Sequence, residues 1–197
     1  MTTPAPSLVH QPSLLASRAS AEAEPRRKIS GLRAVLLGGV TVGICDITDA
    51  LVFFGLYIPA APIRIFHSVA AGLIGRDAAR AGGIPTAILG GVLHFLNATI
   101  ITAIYYLVSR KLPAIVRRPV AYGLAYGVVC YFVMSFVVVP LSAAGRGVSW
   151  PEWPVLLNGI LGHALLVGLP AALWVSRAGE PAWDLDDATR AGEPARD

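Results

Sequence analysis

The sequence predicts an all-α membrane protein, with four transmembrane helices plus a short interfacial or re-entrant helix between the first and second. Three observations carry this reading. Of 197 residues, 55% are hydrophobic and 14% charged, whereas a soluble domain carries about 25% charged residues. Mean hydropathy is +0.63. Four apolar runs each reach the about 20 residues that a helix needs to cross a bilayer core.

The N-terminal stretch 1–30 is rich in Pro, Ala and Ser and ends in the basic cluster Arg26, Arg27, Lys28. Without a sustained apolar period it reads as a disordered cytoplasmic tail. A secretory signal is not expected, because the first apolar run starts late, is long and contains two aspartates. The membrane domain occupies 31–177. Its first span, about 32–58, stops at Tyr57-Ile58-Pro59, an aromatic anchor followed by a helix breaker.

Residues 60–83 differ in kind. Ile63, Phe66, Ala70, Leu73 and Ile74 recur at helical spacing, but Arg64 and Arg76 bracket only about 11 residues, too few to cross. A helix over about 62–80, lying at the interface or re-entering part-way, is expected, with Gly82-Gly83 ending it. The second span covers about 84–108 and closes at Ser109-Arg110-Lys111. The third runs about 120–140, up to Pro140. An aromatic interfacial turn follows, with Trp150, Glu152 and Trp153. The fourth span is about 155–175, with Trp174 and Arg177 at its exit. Residues 178–197, with Asp184, Asp186, Asp187 and Glu193, read as a disordered acidic cytoplasmic tail.

Charge fixes the expected orientation. Arg26, Arg27, Lys28, Arg33, Arg110, Lys111, Arg117, Arg118 and Arg177 flank one side, and Arg64, Arg76, Arg80 and Arg146 the other. The positive-inside rule then places both termini in the cytoplasm. The formal charge of +4 does not imply nucleic acid, because the basic residues flank apolar runs and form no stripe. Cys45 and Cys130 fall within spans, outside any metal-type spacing, and read as small buried hydrophobes.

The informative residues are polar ones inside spans. Asp46 and Asp49 lie about 12 and 9 residues from the outer end of the first span. A carboxylate at such depth costs about 2.5–3.5 kcal/mol on insertion scales. His94 and Asn97 in the second span, and His163 in the fourth, fall at a similar depth at 1.5 Å per residue. Asp46/Asp49 and His94/Asn97 are each spaced i,i+3, so each pair occupies one helix face. Lipid does not solvate such faces, so they are expected to converge in the bundle with the hydroxyl of Thr48 or Thr99. Arg64, His67, Arg76 and Asn158 are candidate partners, with Asn158 more readily a helix cap or loop residue. The individual alternatives are structural: buried packing histidines, an interhelical amide at Asn97, and aspartates that pair with Arg64 or Arg76.

Glycines at 38, 39, 43, 72, 75, 90, 91, 123, 127, 159 and 162 permit close helix approach. Gly39-x-x-x-Gly43-x-x-Asp46 can be laid over Gly123-x-x-x-Gly127-x-x-Cys130, and GGVLH echoes NGILGH, a weak sign of a duplicated two-helix unit. No phosphate-binding loop, nucleophile elbow or HExxH is present.

The ordered segments CDITDALVFFGL, PIRIFHSVAAGLIGRDA, GGVLHFLNA, YGVVCYFVMSFVVVPLSA and NGILGHALLVGLPAA resemble a family of small bacterial inner-membrane proteins without established activity. The resemblance covers about 35–176. It implies a four-span inner-membrane fold and assigns no catalytic residue.

Three functional classes remain. The leading expectation is a polar midplane site for a proton, ion or small polar solute, with Asp46 and Asp49 titrating or coordinating and His94 and His163 as relays. Four spans are few for a transporter, and the Gly-rich faces permit a homo-oligomer in the lipid bilayer. The second class is a metal or haem protein, with His94 and His163 as axial ligands or joined by Asp46 and Asp49 around a metal; no cofactor is required by the sequence. The third is a structural or accessory subunit. A soluble-style enzyme is least expected, because no loop exceeds about 25 residues and none could build an extramembrane active site.

Overall fold

The computed structural model describes residues 29–145 and 147–179. Most of both expected tails, with Arg26, Arg27 and Lys28, and also Arg146, lies outside the described residues. Seven helices follow in order: α1 Gly31–Tyr57, α2 Pro62–Ile74, α3 Arg76–Ala81, α4 Gly83–Ser109, α5 Pro113–Arg117, α6 Pro119–Leu141 and α7 Trp153–Ser176. Helices α1, α4, α6 and α7 are the four long, apolar ones. No strand occurs among the described residues.

Each boundary has a local cause. Ser30 caps α1, its hydroxyl accepting from the Arg33 amide at 3.3 Å. Pro62, Pro113 and Pro119 open α2, α5 and α6, where a missing N–H costs nothing. The expected single helix over about 62–80 is two. Gly75, at φ 82, takes a left-handed conformation that ends α2 and restarts the chain as α3. α3 then stops at Gly82-Gly83, as the sequence suggests.

Two spans contain a π-helical turn, Met134–Val138 in α6 and His163–Gly168 in α7. Each turn lies just before a proline, Pro140 or Pro170. A proline in a helix lacks the N–H that would bond the carbonyl four residues back, and its ring crowds that carbonyl. Widening the preceding turn relieves this crowding. Pro140 therefore does not stop α6 outright; the helix runs to Leu141.

α1 packs against α4 on one side and α7 on the other, and α7 also packs on α6 and α4. Close approach depends on small residues. Gly38, Gly39 and Gly43 of α1 face Thr102, Thr99 and Phe95 of α4. Gly123 and Gly127 of α6 lie against Gly168 and the His163 backbone of α7. The buried core is correspondingly small: Val42, Ala98, Val167 and Ala171 in the middle, then Tyr105, Ile115, Ala172 and Val175 near the termini end. Leucines, isoleucines and valines turn outward instead. Ile84, Ile88, Val92, Leu96, Ile100 and Ile104 form an exposed stripe along α4 at four-residue spacing. An outward apolar face suits lipid as the surrounding solvent.

The two ends of the bundle differ. At the termini end, the Ile29 amide donates to the Arg177 carbonyl at 3.1 Å. There Arg110 donates to the Gly179 carbonyl at 2.9 Å, and Arg177 lies 4.3 Å over the Trp174 ring. At the opposite end, α2 lies alongside α4, its Phe66 backbone against Gly90. Its far end meets the segment after α6, where the Ala143 amide donates to the Gly72 carbonyl at 3.0 Å.

Candidate functional site

The polar residues of the spans separate into two pairs. Asp46 and Asp49 lie about 60° apart on α1, since three residues turn a helix by about 300°. Because α1 is flanked by α4 and α7, that angle directs them to different neighbours. Asp49 turns to α7, where the Asn158 amide donates to its Oδ2 at 2.9 Å and Gly162 leaves it room. Asn158 is therefore an interhelical partner and not the cap or loop residue that its position suggests. Asn158→Leu should lower stability by about 1–3 kcal/mol, because it strands a carboxylate that has lost its donor. Asp49→Asn should cost less, and comparing the two melting curves in detergent checks this.

Asp46 turns to α4. His94 Nδ1 lies 4.0 Å from Asp46 Oδ2, and His94 Nε2 bonds the Gly43 carbonyl of α1 at 2.9 Å. A carbonyl only accepts, so Nε2 carries a proton and donates it. The other nitrogen, Nδ1, is thereby left facing the carboxylate. The imidazole side chain is 11% exposed and the carboxylate 29%. The backbone bond to Gly43 thus fixes the ring, and Gly43 exists as glycine because a side chain there would strike Phe95.

This pair stands where two cavities meet. The larger, about 490 Å³, is lined along one face of α1 by Asp46, Ala50, Phe54 and Ile58. Arg64, Arg76 and Arg80 from α2 and α3 also line it. The smaller, about 220 Å³, lies among α1, α2, α4, α6 and α7 and contains Asn97, Ser142 and His163. Asp46, Val69 and His94 line both. The π turns belong to the second cavity, since Met134, Val138, His163 and Val167 all face it.

The remaining expected residues take other places. Asn97 is exposed and lines the second cavity with His163. His163 sits edge-on to Tyr131, with ring centroids 5.4 Å apart. Thr48 is exposed and its hydroxyl donates to the Ile44 carbonyl, so it stays outside the cluster. Thr99 likewise donates to Phe95. His67 is buried, 8% exposed, and bonds the Gly83 carbonyl at 2.8 Å; it ties α2 to α4 and also lines the larger cavity. Arg64 and Arg76 share a cavity with Asp46, yet neither lies within ion-pair distance of a carboxylate among the described residues. Arg80 and Ser142 were not among the expected site residues. Arg80 is legible as i+4 from Arg76 once a helix starts after Gly75. Ser142 carries no sequence signal.

No group of three or more His, Cys, Asp or Glu side chains gathers for a metal ion among the described residues. Fold and site together define a multi-pass helical membrane protein with a carboxylate–imidazole pair between two of its long apolar helices. No family model, no curated protein and no solved structure matches this chain.

Proposed function

We propose that the protein binds and passes a proton at Asp46 and His94, between its two cavities. The observation that carries this is the bond from His94 Nε2 to the Gly43 carbonyl, which leaves Nδ1 directed at Asp46. Without a further proton, a lone pair and a carboxylate oxygen face one another in a poorly solvated setting, an unfavourable arrangement. One added proton, on either group, turns it into a favourable one. At 4.0 Å the atoms are beyond hydrogen-bond range, so the proton is not locked between them, and a small rotation or one water closes the gap. Asn97 and His163 supply the polar lining on the second-cavity side.

Haem or metal ligation has less support. His94 Nε2 is occupied by a backbone carbonyl and Asp49 by Asn158. The cavity that His94 and His163 share, about 220 Å³, is smaller than the about 300–1,000 Å³ typical of drug-sized ligands, and a porphyrin is no smaller than these.

The wider setting belongs to the same proposal. It is a bacterial cytoplasmic membrane, as the family resemblance implies, with both termini in the cytoplasm and α2 and α3 on the far side, as the basic flanks favour. Homo-oligomers would supply the bulk that four spans lack, through faces other than the glycine-rich ones, which the helices use on one another within a protomer.

Reconstitution into vesicles holding a pH-sensitive dye tests the central point. The protein should speed collapse of an imposed pH gradient, and Asp46→Asn should bring the rate to that of empty vesicles. Equal rates for Asp46→Asn and the unmodified chain would end this reading.

A further inference from the structure

The larger cavity holds chemistry that a proton site does not use. Arg64 stands in the first turn of α2, and Arg76 and Arg80 stand one turn apart on α3. The left-handed turn at Gly75 (φ 82) redirects the chain between them, and all three line the same space of about 490 Å³. Three guanidinium groups repel one another, and none is within ion-pair distance of a carboxylate among the described residues. Glu152, an acid at this end, accepts a hydrogen bond from the Tyr57 hydroxyl at 2.7 Å. Three guanidinium groups against one lining carboxylate, Asp46, leave the concavity with an excess of positive charge, complementary to an oxyanion, and guanidinium forks match phosphate oxygens in pairs.

The opposite wall is apolar. Ala50, Phe54 and Ile58 continue from Asp46 along α1 towards the arginines. A free ion has no use for such a wall, whereas an amphiphile sets its head among the arginines and its first carbons against Phe54 and Ile58. We infer that this cavity binds a phosphate monoester, with the apolar wall pointing to the headgroup of a lipid as its source. The inference stands whether or not Asp46 and His94 exchange a proton, because binding is read at one fixed pH with no gradient.

The test uses the full chain in mild detergent, with lysophosphatidic acid titrated by calorimetry and inorganic phosphate as competitor. Saturable binding is expected, weakened about tenfold or more by combined R64Q, R76Q and R80Q, since each charged hydrogen bond contributes roughly a tenfold factor or more. Combined R64K, R76K and R80K, which keeps the charge without the fork, should bind with intermediate affinity. Lys111→Gln, at the termini end, should bind as the unmodified chain does. Displacement by inorganic phosphate at similar concentrations would support the phosphate site and assign it to the free ion; no displacement would assign it to the lipid. Equal binding by the glutamine triple variant and the unmodified chain, with both melting alike, overturns the inference. So does the absence of saturable binding of either probe.

Discussion

Gly168→Leu is expected to keep the chain from reaching a monodisperse folded state in mild detergent, the largest stability effect of any single substitution considered. A Cβ at position 168 would meet the Gly123 carbonyl and the Gly127 backbone, and one at 127 would meet the His163 carbonyl. Obstacles made of backbone do not rotate aside, so α6 and α7 must separate along their whole seam. Overpacking costs about 1–3 kcal/mol where side chains yield, and more is expected here, against a total stability of about 5–15 kcal/mol. Gly55 provides the contrast. Nothing lies within 4 Å of a Cβ there, and alanine gains up to about 1 kcal/mol of helix propensity over glycine. Gly55→Ala should therefore melt at or above the temperature of the unmodified chain. Size-exclusion profiles and melting curves decide it, and a Gly168→Leu protein that melts normally would mean that α6 and α7 do not meet at this seam.

His94→Gln is expected to slow proton passage sharply while leaving the fold intact. Glutamine carries a side-chain amide that can still donate to the Gly43 carbonyl, so the tie between α1 and α4 survives. Lost is Nδ1, the imidazole nitrogen that lies 4.0 Å from the Asp46 carboxylate and through which the proposed proton passes. The vesicle rate should fall on the order of a hundredfold, the low end of what a positioned proton-transfer group contributes. Asp49→Asn should leave the rate unchanged, because Asp49 is turned away to Asn158. A His94→Gln protein that folds and still collapses the gradient would make His94 a packing residue only.

The spans were legible because lipid thickness dictates run length, and the expected first span, about 32–58, differs from Gly31–Tyr57 by one residue at each end. The short helix was legible from its truncated apolar run, but its break at Gly75 was not, since a glycine flanked by helix formers carries no sign of its φ. Which way each helix faces was harder to read. In lipid the outer face is as apolar as the core, so hydropathy loses its 3.6-residue period; only the glycines mark the seams. Asp46 and His94, read at one depth, lie side by side. Asp49, read at the same depth, meets Asn158 instead, because residues at one level still diverge by angle. The Gly43 carbonyl that fixes His94 belongs to the backbone and leaves no mark in a sequence. The π turns were visible only indirectly, through Pro140 and Pro170.

The hydrogen bond from Ile29 to Arg177 makes the helical domain nearly a closed loop. A ring whose ends already touch tolerates being joined there and cut elsewhere, because closing a short gap costs little chain entropy. A circular permutant linked from Gly179 to Ile29 and opened between α6 and α7, near Gly147, would keep all four long helices in their order around the bundle. Its new ends would emerge on the α2 side of the membrane, so the same fold could be tagged or tethered from either face.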